Sequence, residues 1–211
     1  MYENGNPPDY SFILGLEVFP IDTKPLRPSR QARLRLWDIF KVNVEPMTKI
    51  LHMPTLESQI TDAMQQDDWP PDKLDLICFC IYFGAVTSLS DEECESVFLE
   101  QRSVLCSRFR LGVERLLSHH KLTSTDDLQV LQAFVLYSVL LKNHGAEFSW
   151  KMNGLAARLG YSLGMHREGN FGLSIYLAEM RRRLWWQIVI SEAPASEENS
   201  SESTSSVFPV A

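Results

Sequence analysis

Clustered carboxylates are the first residues of this sequence whose spacing could do chemistry. The segment DDWPPD holds Asp67, Asp68 and Asp72 within six residues, and a helical enzyme acting on diphosphates would use such acids to hold Mg²⁺. That chemistry needs acids one turn apart on one rigid helix face. Pro70 and Pro71 stand between them and prevent a continuous helix. A solvated acidic turn is therefore favoured, and a magnesium-dependent enzyme is the alternative.

Cysteine and histidine could hold zinc, but their spacing argues against it. The cysteines lack paired Cys-x-x-Cys knuckles, and His119 and His120 are not spaced like the second half of a zinc finger. All four cysteines lie beside apolar residues in the middle of the chain: Cys78, Cys80, Cys94 and Cys106. We expect reduced core cysteines and no bound metal or other cofactor.

One segment resembles the nucleophile motif of serine hydrolases in its sequence but not in its predicted structure. In GYSLG, Ser162 is central between glycines, but the nucleophile elbow of hydrolases requires a preceding strand. Leu155, Leu159 and Leu163 recur at four-residue steps and place this serine in a helix instead. The glycine-rich cradles that bind nucleotides are absent from the sequence. We predict no catalytic residue.

The segment EMRRRLWWQIVI brings three consecutive arginines next to two tryptophans. A basic and aromatic cluster can bind nucleic acid, but the formal net charge of the 211 residues is −7, so any DNA contact must be local. We interpret Arg181, Arg182 and Arg183 as packing residues whose heads pair with acids such as Glu179 or Glu168. On a helix the segment forms one apolar stripe, comprising Met180, Leu184 and Ile188 with Trp185, Trp186 and Val189 beside it.

Neither end of the sequence nor its apolar runs indicate a membrane protein. The N-terminus is polar and acidic with a broken apolar patch, which is not a secretory signal. The longest apolar stretch runs from Leu74 to Leu89, carries Asp75 and is shorter than the roughly 18 residues of a spanning helix. With 45% hydrophobic residues, the chain can instead bury a sizeable core.

Helix signals begin after a proline-rich leader. Pro28 precedes Ser29, which could cap a helix whose apolar face comprises Leu34, Trp37, Phe40 and Val44. Pro46 interrupts that helix. Thr55, after Pro54, is expected to cap a second helix, and a buried helix follows from about Leu74. Ser90 and Glu93 form a capping box that opens a further helix toward Leu117.

Apolar residues in the second half of the chain also recur with the period of an α-helix. One helix is predicted from Leu128 to about Leu141, and a last helix from about Ser174 to Ile190. Between them, the leucine-rich helix carries a row of small residues that a neighbouring helix could approach closely: Ala156, Gly160 and Gly164. Strand alternation and hairpin turns are not found, so the predicted fold class is all-α.

Three segments of the chain resemble the fungal-specific transcription factor domain, the middle homology region of fungal zinc-cluster regulators. LAARLGYSLGMHRE is followed about a dozen residues later by AEMRRRLWW, and LWDIFKVNVEPMTKILHMPTLE is similar to the opening helix of that family. The similarity extends from about Arg33 to Ile190. Its motif residues, taken as structural, are Pro46, His52, Pro54, Gly164, His166, Arg167, Glu179, Arg181, Arg182, Arg183, Trp185 and Trp186.

The resemblance implies a helical regulatory domain of a nuclear transcription factor, without catalytic residues, that acts through protein contacts or by responding to a small-molecule effector. Its partners would be other transcription regulators or the transcription machinery, and homo- or hetero-oligomers are compatible with it. Family members bind zinc through an N-terminal six-cysteine cluster that reads DNA, and the four cysteines here lack that pattern. We therefore expect DNA binding by this chain to be indirect or weak. A decoy that pairs with an intact relative also fits.

The expected domain layout follows from the prolines before Ser29, from the composition of the C-terminal segment and from the resemblance. Residues 1–28 are a leader, residues 29–192 the helical domain, and residues 193–211 a Ser- and Glu-rich tail that is expected to be disordered. Family domains continue past the Trp-Trp helix with further helices, whereas this chain turns at Ser191 to the tail. We expect a truncated domain, or a gene model out of frame, that leaves Trp185 and Trp186 in an exposed apolar patch.

Overall fold

The fold is all-α, as predicted from the helical periods. A computed structural model describes residues 11–14, 22–65, 72–141, 146–167 and 172–198, and these contain α-helices, short 3₁₀ turns and no strand. No helix in this part of the chain is long and apolar enough to cross a membrane. The described residues form two compact units, an N-terminal unit between Tyr10 and Thr125 and a C-terminal unit from Asp126 onward.

The N-terminal unit is built around one helix that is buried on every side. All residues from Leu74 to Val86 in this helix are buried, which explains why the segment lacks an amphipathic period. The unit contains α1 (Ser11–Leu14), α2 (Arg30–Asn43), α3 (Glu45–Thr48), α4 (Met53–Gln65), α5 (Asp72–Thr87), α6 (Asp91–Phe98) and α7 (Arg102–His119). The central helix α5 packs against α2 and α7.

A carboxylate of the central helix is buried inside the N-terminal unit. Asp75 of α5 has a side chain only 3% exposed, and it accepts hydrogen bonds from Thr23 Oγ1 at 3.1 Å and Arg27 Nη2 at 3.2 Å. A buried carboxylate is tolerated when it is paired and hydrogen-bonded. Thr23 and Arg27 lie in the predicted leader, so this part of the leader is joined to the helical core.

The predicted helix starts are largely confirmed. Ser29 Oγ accepts from the backbone N–H of Ala32 at the start of α2. Ser90 and Glu93 form both hydrogen bonds of the capping box at the start of α6. These side chains satisfy first-turn N–H groups that have no partner inside a helix.

Three local predictions for this unit were wrong. Leu34 is 48% exposed, because the buried face of α2 is centred on Leu36, Trp37 and Phe40. Thr55 does not cap α4, which already begins at Met53. The helix predicted from Ser90 toward Leu117 is divided into α6 and α7.

The division between α6 and α7 has a physical cause in the backbone and in a distant side chain. Leu99 adopts a left-handed conformation with φ of 57°, which ends α6. Arg102, the first residue of α7, donates from Nε to the Val86 carbonyl at 3.3 Å and from Nη2 to the Thr87 carbonyl at 3.1 Å. These contacts satisfy carbonyl groups in the last turn of α5.

The described residues of the C-terminal unit form three helices that pack on one another. They are α8 (Leu128–Leu140), α9 (Ala146–Ser162) and α10 (Ile175–Glu198). Asp127 caps α8 by accepting from the N–H of Gln129, and every residue from Val130 to Ser138 is buried. Buried Asn153 of α9 donates to the Ser191 carbonyl of α10 at 3.1 Å, which fixes the register of the two helices.

The last helix begins where the sequence predicts but ends later. Ser174 Oγ accepts from the N–H of Leu177, so it caps α10. The helix continues eight residues beyond Ile190, to Glu198. The rest of the predicted tail, residues 199–211, lies outside the described residues.

Candidate functional site

The motif residues of the C-terminal unit meet where α9 ends. The Gly164 N–H donates to the Tyr161 carbonyl at 2.9 Å, and the Met165 N–H donates to the Gly160 carbonyl at 3.0 Å. This pair of bonds is a Schellman motif, whose first residue past the helix needs a positive φ. Gly164 has φ of 66°. It therefore lies beyond α9, and its predicted place in a helical row with Ala156 and Gly160 is wrong.

Arg181 completes the end of α9 from the neighbouring helix. Its Nη2 donates a 2.7 Å hydrogen bond to the carbonyl of Leu163. A guanidinium at a helix C-terminus interacts favourably with the helix dipole and satisfies a carbonyl that has no partner inside the helix. The prediction that Arg181 pairs with an acid therefore differs from the structure, where its partner is a backbone carbonyl.

Arg182 and Arg183 form the ion pairs that the sequence predicts. Arg182 Nη2 lies 2.6 Å from Glu179 Oε2, and Arg183 Nε lies 2.7 Å from Glu179 Oε1. The hydrogen bonds from Arg183 and Arg182 hold the pKa of the Glu179 carboxyl below its ordinary value. The Glu179 carboxylate thus pairs with two guanidinium groups one turn further along α10 and neutralises part of their charge. Glu168, the other predicted acid, lies outside the described residues.

An aromatic cluster lies beside the glycine turn. The Tyr161 ring is 4.6 Å from the ring of His166 and 5.1 Å from that of Trp185, with the Tyr161 and Trp185 planes 84° apart. Edge-to-face contacts of this kind stabilise packed aromatic rings. Burial, and then the charge of Glu192, raise the pKa of the Tyr161 hydroxyl. His166 therefore contributes an aromatic contact at the end of α9, next to exposed Arg167.

The two tryptophans have different environments. Trp185 is only 6% exposed and packs on Gly160, so the expectation that it lies in an uncovered patch is wrong. Trp186 is 52% exposed, in agreement with that expectation. The predicted stripe is buried at each of its members, Met180, Leu184 and Ile188.

The other motif residues lie in the N-terminal unit, around the start of α4. Pro46 is in the first turn of α3, where a missing N–H has no cost. A 2.7 Å hydrogen bond joins His52 Nδ1 to Thr55 Oγ1, and the His52 carbonyl accepts from the Leu56 N–H. Pro54 is the second residue of α4. These contacts order the chain between α3 and α4.

The residues considered for chemistry are not assembled into a reactive site in the described part of the chain. Asp67 and Asp68 lie outside the described residues, and Asp72 is the first residue of α5. Groups of three or more metal-binding side chains are absent from the residues the structure describes. Burial raises the pKa of the Cys78 thiol to about 12 and also raises that of Cys80. Both sulfurs are therefore protonated core residues, as predicted.

Sequence reasoning missed three residues that position this site. Asn153 joins α9 to α10, the Leu163 carbonyl receives Arg181, and Tyr161 holds the aromatic cluster together. Tyr161 precedes Gly164 by one helical turn, a spacing that could have been noticed. The hydrogen bonds of Asn153 and Leu163 join residues at least 18 positions apart, and no local pattern reveals them.

This geometry defines an all-helical unit that is held together by the glycine turn after α9 and by the arginines and Trp185 of α10. The family model described as the fungal specific transcription factor domain matches residues 37–193. That match covers most of the chain, and the chain belongs to this family. The resemblance seen in the sequence is thereby confirmed.

Curated relatives agree with the family. The chain is 40% identical over 172 residues to the aurofusarin cluster transcription factor of Gibberella zeae, covering 81% of this chain and 26% of the relative. It is 36% identical to the pyriculol/pyriculariol biosynthesis cluster transcription factor of Pyricularia oryzae, covering 79% and 23%. A C6 finger domain transcription factor of Aspergillus fumigatus is 30% identical, covering 83% and 26%.

The chain thus spans about a quarter of the length of these curated relatives. No solved structure matches it. The family and the names of the relatives indicate transcription regulators, and neither supports the magnesium-dependent enzyme.

Proposed function

We propose that this chain is a regulatory domain that acts in the nucleus through contacts with other transcription regulators or with the transcription machinery. Membership of the fungal specific transcription factor family carries the proposal. DNA is reached indirectly or weakly, and no cofactor is bound by these residues.

The charges on α10 support a role in protein packing over a role in gripping DNA. Glu179 neutralises part of the charge of Arg182 and Arg183, and Arg181 is held by a backbone carbonyl. Nonspecific DNA binding depends on the number of phosphates that basic side chains neutralise. Because the net charge of the chain is −7, acidic side chains outnumber the basic ones that could neutralise DNA phosphates. The six-cysteine pattern of the C6 class is also absent from these 211 residues.

Fluorescence anisotropy with random-sequence DNA tests the DNA part of the proposal. We expect a weak signal at low salt that disappears at about 0.15 M salt, where exposed charges are screened beyond about 8 Å. Because Arg181 also caps α9, the Arg182→Ala/Arg183→Ala double variant is measured beside the triple alanine variant. Binding that survives physiological salt and is lost in both variants would contradict the proposal.

A tethered reporter tests the protein-contact part. The chain is fused to an unrelated DNA-binding domain in a fungal cell, and transcription from a promoter carrying the matching site is measured. We expect output to differ from that of the DNA-binding domain alone, in either direction. The double variant Arg182→Ala/Arg183→Ala serves as the control and should retain the effect. An unchanged output from a fusion that is expressed and nuclear would count against the proposal.

Localisation and self-association are measured separately. A fluorescent fusion of the chain is expected to accumulate in the nucleus when it is co-expressed with an intact regulator of the same family. Sedimentation velocity, with and without that regulator, distinguishes homo-oligomers from the mixed pairs that a decoy would form. A chain that stays monomeric both alone and with the intact regulator would exclude the decoy hypothesis.

A further inference from the structure

The face of α10 opposite its buried stripe carries both apolar and charged side chains. The helix packs against α8 and α9, and its buried stripe comprises Met180, Leu184 and Ile188. A second row of residues follows the other side of the helix at steps of four, three and four positions, a spacing that places side chains on one helix face. We call it the outer row, and its members are Ile175, Glu179, Arg182 and Trp186.

The two ends of the outer row are large apolar side chains that are exposed to solvent. Ile175 is 87% exposed and Trp186 is 52% exposed, and Ile190, one turn beyond Trp186, is 61% exposed. Single exposed apolar residues are common, but large ones grouped on one helix face are typical of protein contact sites. At 1.5 Å per residue, the two ends of the row are about 16 Å apart along the helix axis. Another helix of three turns would cover this row.

Between its apolar ends, the outer row carries one acid and one base that can bond to a further molecule. Glu179 Oε2 accepts from Nε of Arg182 at 2.9 Å and from Nη2 at 2.6 Å. A guanidinium group also has N–H donors on Nη1, and the Arg182 side chain is 66% exposed. The Glu179 side chain is 34% exposed. Both charged groups are therefore accessible to opposite charges on a partner.

The order of residues in the outer row is complementary to itself. Positions 175 and 186 have the same midpoint as positions 179 and 182, between residues 180 and 181. Two copies of α10 that lie antiparallel about this midpoint bring Ile175 of each copy against Trp186 of the other. The same arrangement brings Glu179 of each copy against Arg182 of the other. A parallel pair would instead oppose like charges at both positions, so the charges favour the antiparallel orientation.

We propose that the outer row of α10 is a docking surface for a second copy of this chain, which binds as an antiparallel, two-fold symmetric dimer. A two-fold interface uses the same patch on both subunits, and the outer row meets this requirement in its apolar and its charged residues. The apolar ends supply most of the affinity, and the charges set the orientation. One pair of helices is a small contact, so the dimer is transient. This inference goes beyond the proposed function, because it needs neither another regulator nor DNA.

Sedimentation equilibrium of the whole chain over a series of concentrations tests the inference. We expect a reversible monomer–dimer equilibrium with a Kd of about 10–100 µM. Ile175→Ala and Trp186→Ala should each raise this Kd by about tenfold, because each removes apolar contact area from both halves of the interface. Met47→Ala is the matched control, since Met47 is a large apolar residue of the N-terminal unit that is 76% exposed. A chain that stays monomeric, or an equal loss in Met47→Ala, would overturn the inference.

Charge-reversal variants test the orientation of the two helices. Glu179→Arg and Arg182→Glu should each abolish self-association, because like charges then meet at the centre. A mixture of these two variants should form a mixed dimer, because each reversed residue then lies against an opposite charge. The double variant Glu179→Arg/Arg182→Glu should pair with itself but not with the wild type. A double variant that pairs with the wild type and not with itself would show a parallel arrangement and contradict the inference.

Two further outcomes separate self-pairing from other contacts of the chain. If the chain stays monomeric while an intact regulator of the same family binds it, and Trp186→Ala abolishes that binding, the outer row docks a different protein and the inference is wrong. If the chain dimerises as expected while the reporter output is unchanged, the regulatory proposal fails and the dimer interface remains. Circular dichroism of each variant shows whether its helices are retained, which distinguishes loss of pairing from loss of folding.

Discussion

Gly160 of α9 lies directly against the indole of Trp185 in α10. A Cβ placed on this glycine would be 3.1 Å from Cζ3 of Trp185 and 3.4 Å from Cδ1 of Ile188. The glycine therefore sets how closely the two helices approach, in a core whose neighbours have little space to move.

A large side chain at position 160 should separate these helices. We expect Gly160→Leu to lower the free energy of unfolding by about 1–3 kcal/mol, because overpacking forces side chains out of their preferred rotamers. Urea denaturation followed by circular dichroism measures the change. Ser162→Leu, which adds the same side chain at an exposed position of α9, should have a small effect. Equal losses in both variants would show that the contact with Trp185 is unimportant.

The turn after α9 should depend on backbone conformation and not on space. A Cβ at Gly164 would meet no atom within 4 Å, but its φ is 66°. We expect Gly164→Ala to cost about 1 kcal/mol, because the left-handed conformation is unfavourable for residues with a Cβ. Gly164→Asn should cost less, since asparagine tolerates that conformation. Thermal unfolding of the three proteins distinguishes them, and similar losses for alanine and asparagine would contradict the backbone explanation.

The three arginines of α10 should differ in their effect on stability. Arg181→Met keeps the apolar stem but removes the donor to the Leu163 carbonyl, and we expect a loss of about 1–2 kcal/mol. Arg182→Met should change stability little, because its side chain is 66% exposed and surface ion pairs contribute little. Urea midpoints of the two variants provide the comparison. If Arg182→Met lost more stability than Arg181→Met, the structural role assigned to Arg181 would be wrong.

The helices of this fold could be predicted because their signals are local. Ser29 and Ser90 each cap a helix with a side chain, as predicted, and a cap is visible within four residues of sequence. The apolar period likewise placed Met180, Leu184 and Ile188 on one buried stripe. The repeated positions of polar caps and apolar faces were sufficient to give an all-α fold.

The remaining features depend on contacts between distant residues. The helix break at Leu99 could not be predicted, because neither a glycine nor a proline marks it. Arg102 donates to carbonyl groups of α5 that lie 15 and 16 positions earlier in the sequence. Arg181 likewise bonds to Leu163, 18 positions earlier. The sequence predicts that Arg181 pairs with an acid. The carbonyl at the end of α9 lacks a partner inside the helix, however, and it competes for the same guanidinium group.

The pairs between Glu179 and its arginines should make stability depend on pH in a defined direction. Hydrogen bonds from Arg183 and Arg182 lower the pKa of Glu179 from its ordinary value of 4.5. A folded-state pKa below the unfolded value means that this stabilisation is fully present above about pH 4.5 and is lost as the pH falls through the folded pKa. The stability difference between the wild type and Glu179→Gln should therefore be present at neutral pH and disappear in acid.

Denaturation of both proteins across this pH range, with the Glu179 carboxyl followed by NMR, measures the effect. Glu114→Gln is a matched control, because Glu114 pairs with Arg110 in the N-terminal unit and should leave the Glu179 titration unchanged. Removing the carboxylate also releases Arg182 and Arg183, so Glu179→Gln should raise the weak DNA signal at low salt. A Glu179 pKa at or above its ordinary value would refute the pairing of Glu179 with Arg182 and Arg183. In that case Glu179→Gln should leave the DNA signal unchanged, because both guanidinium groups would already be unpaired in the wild type.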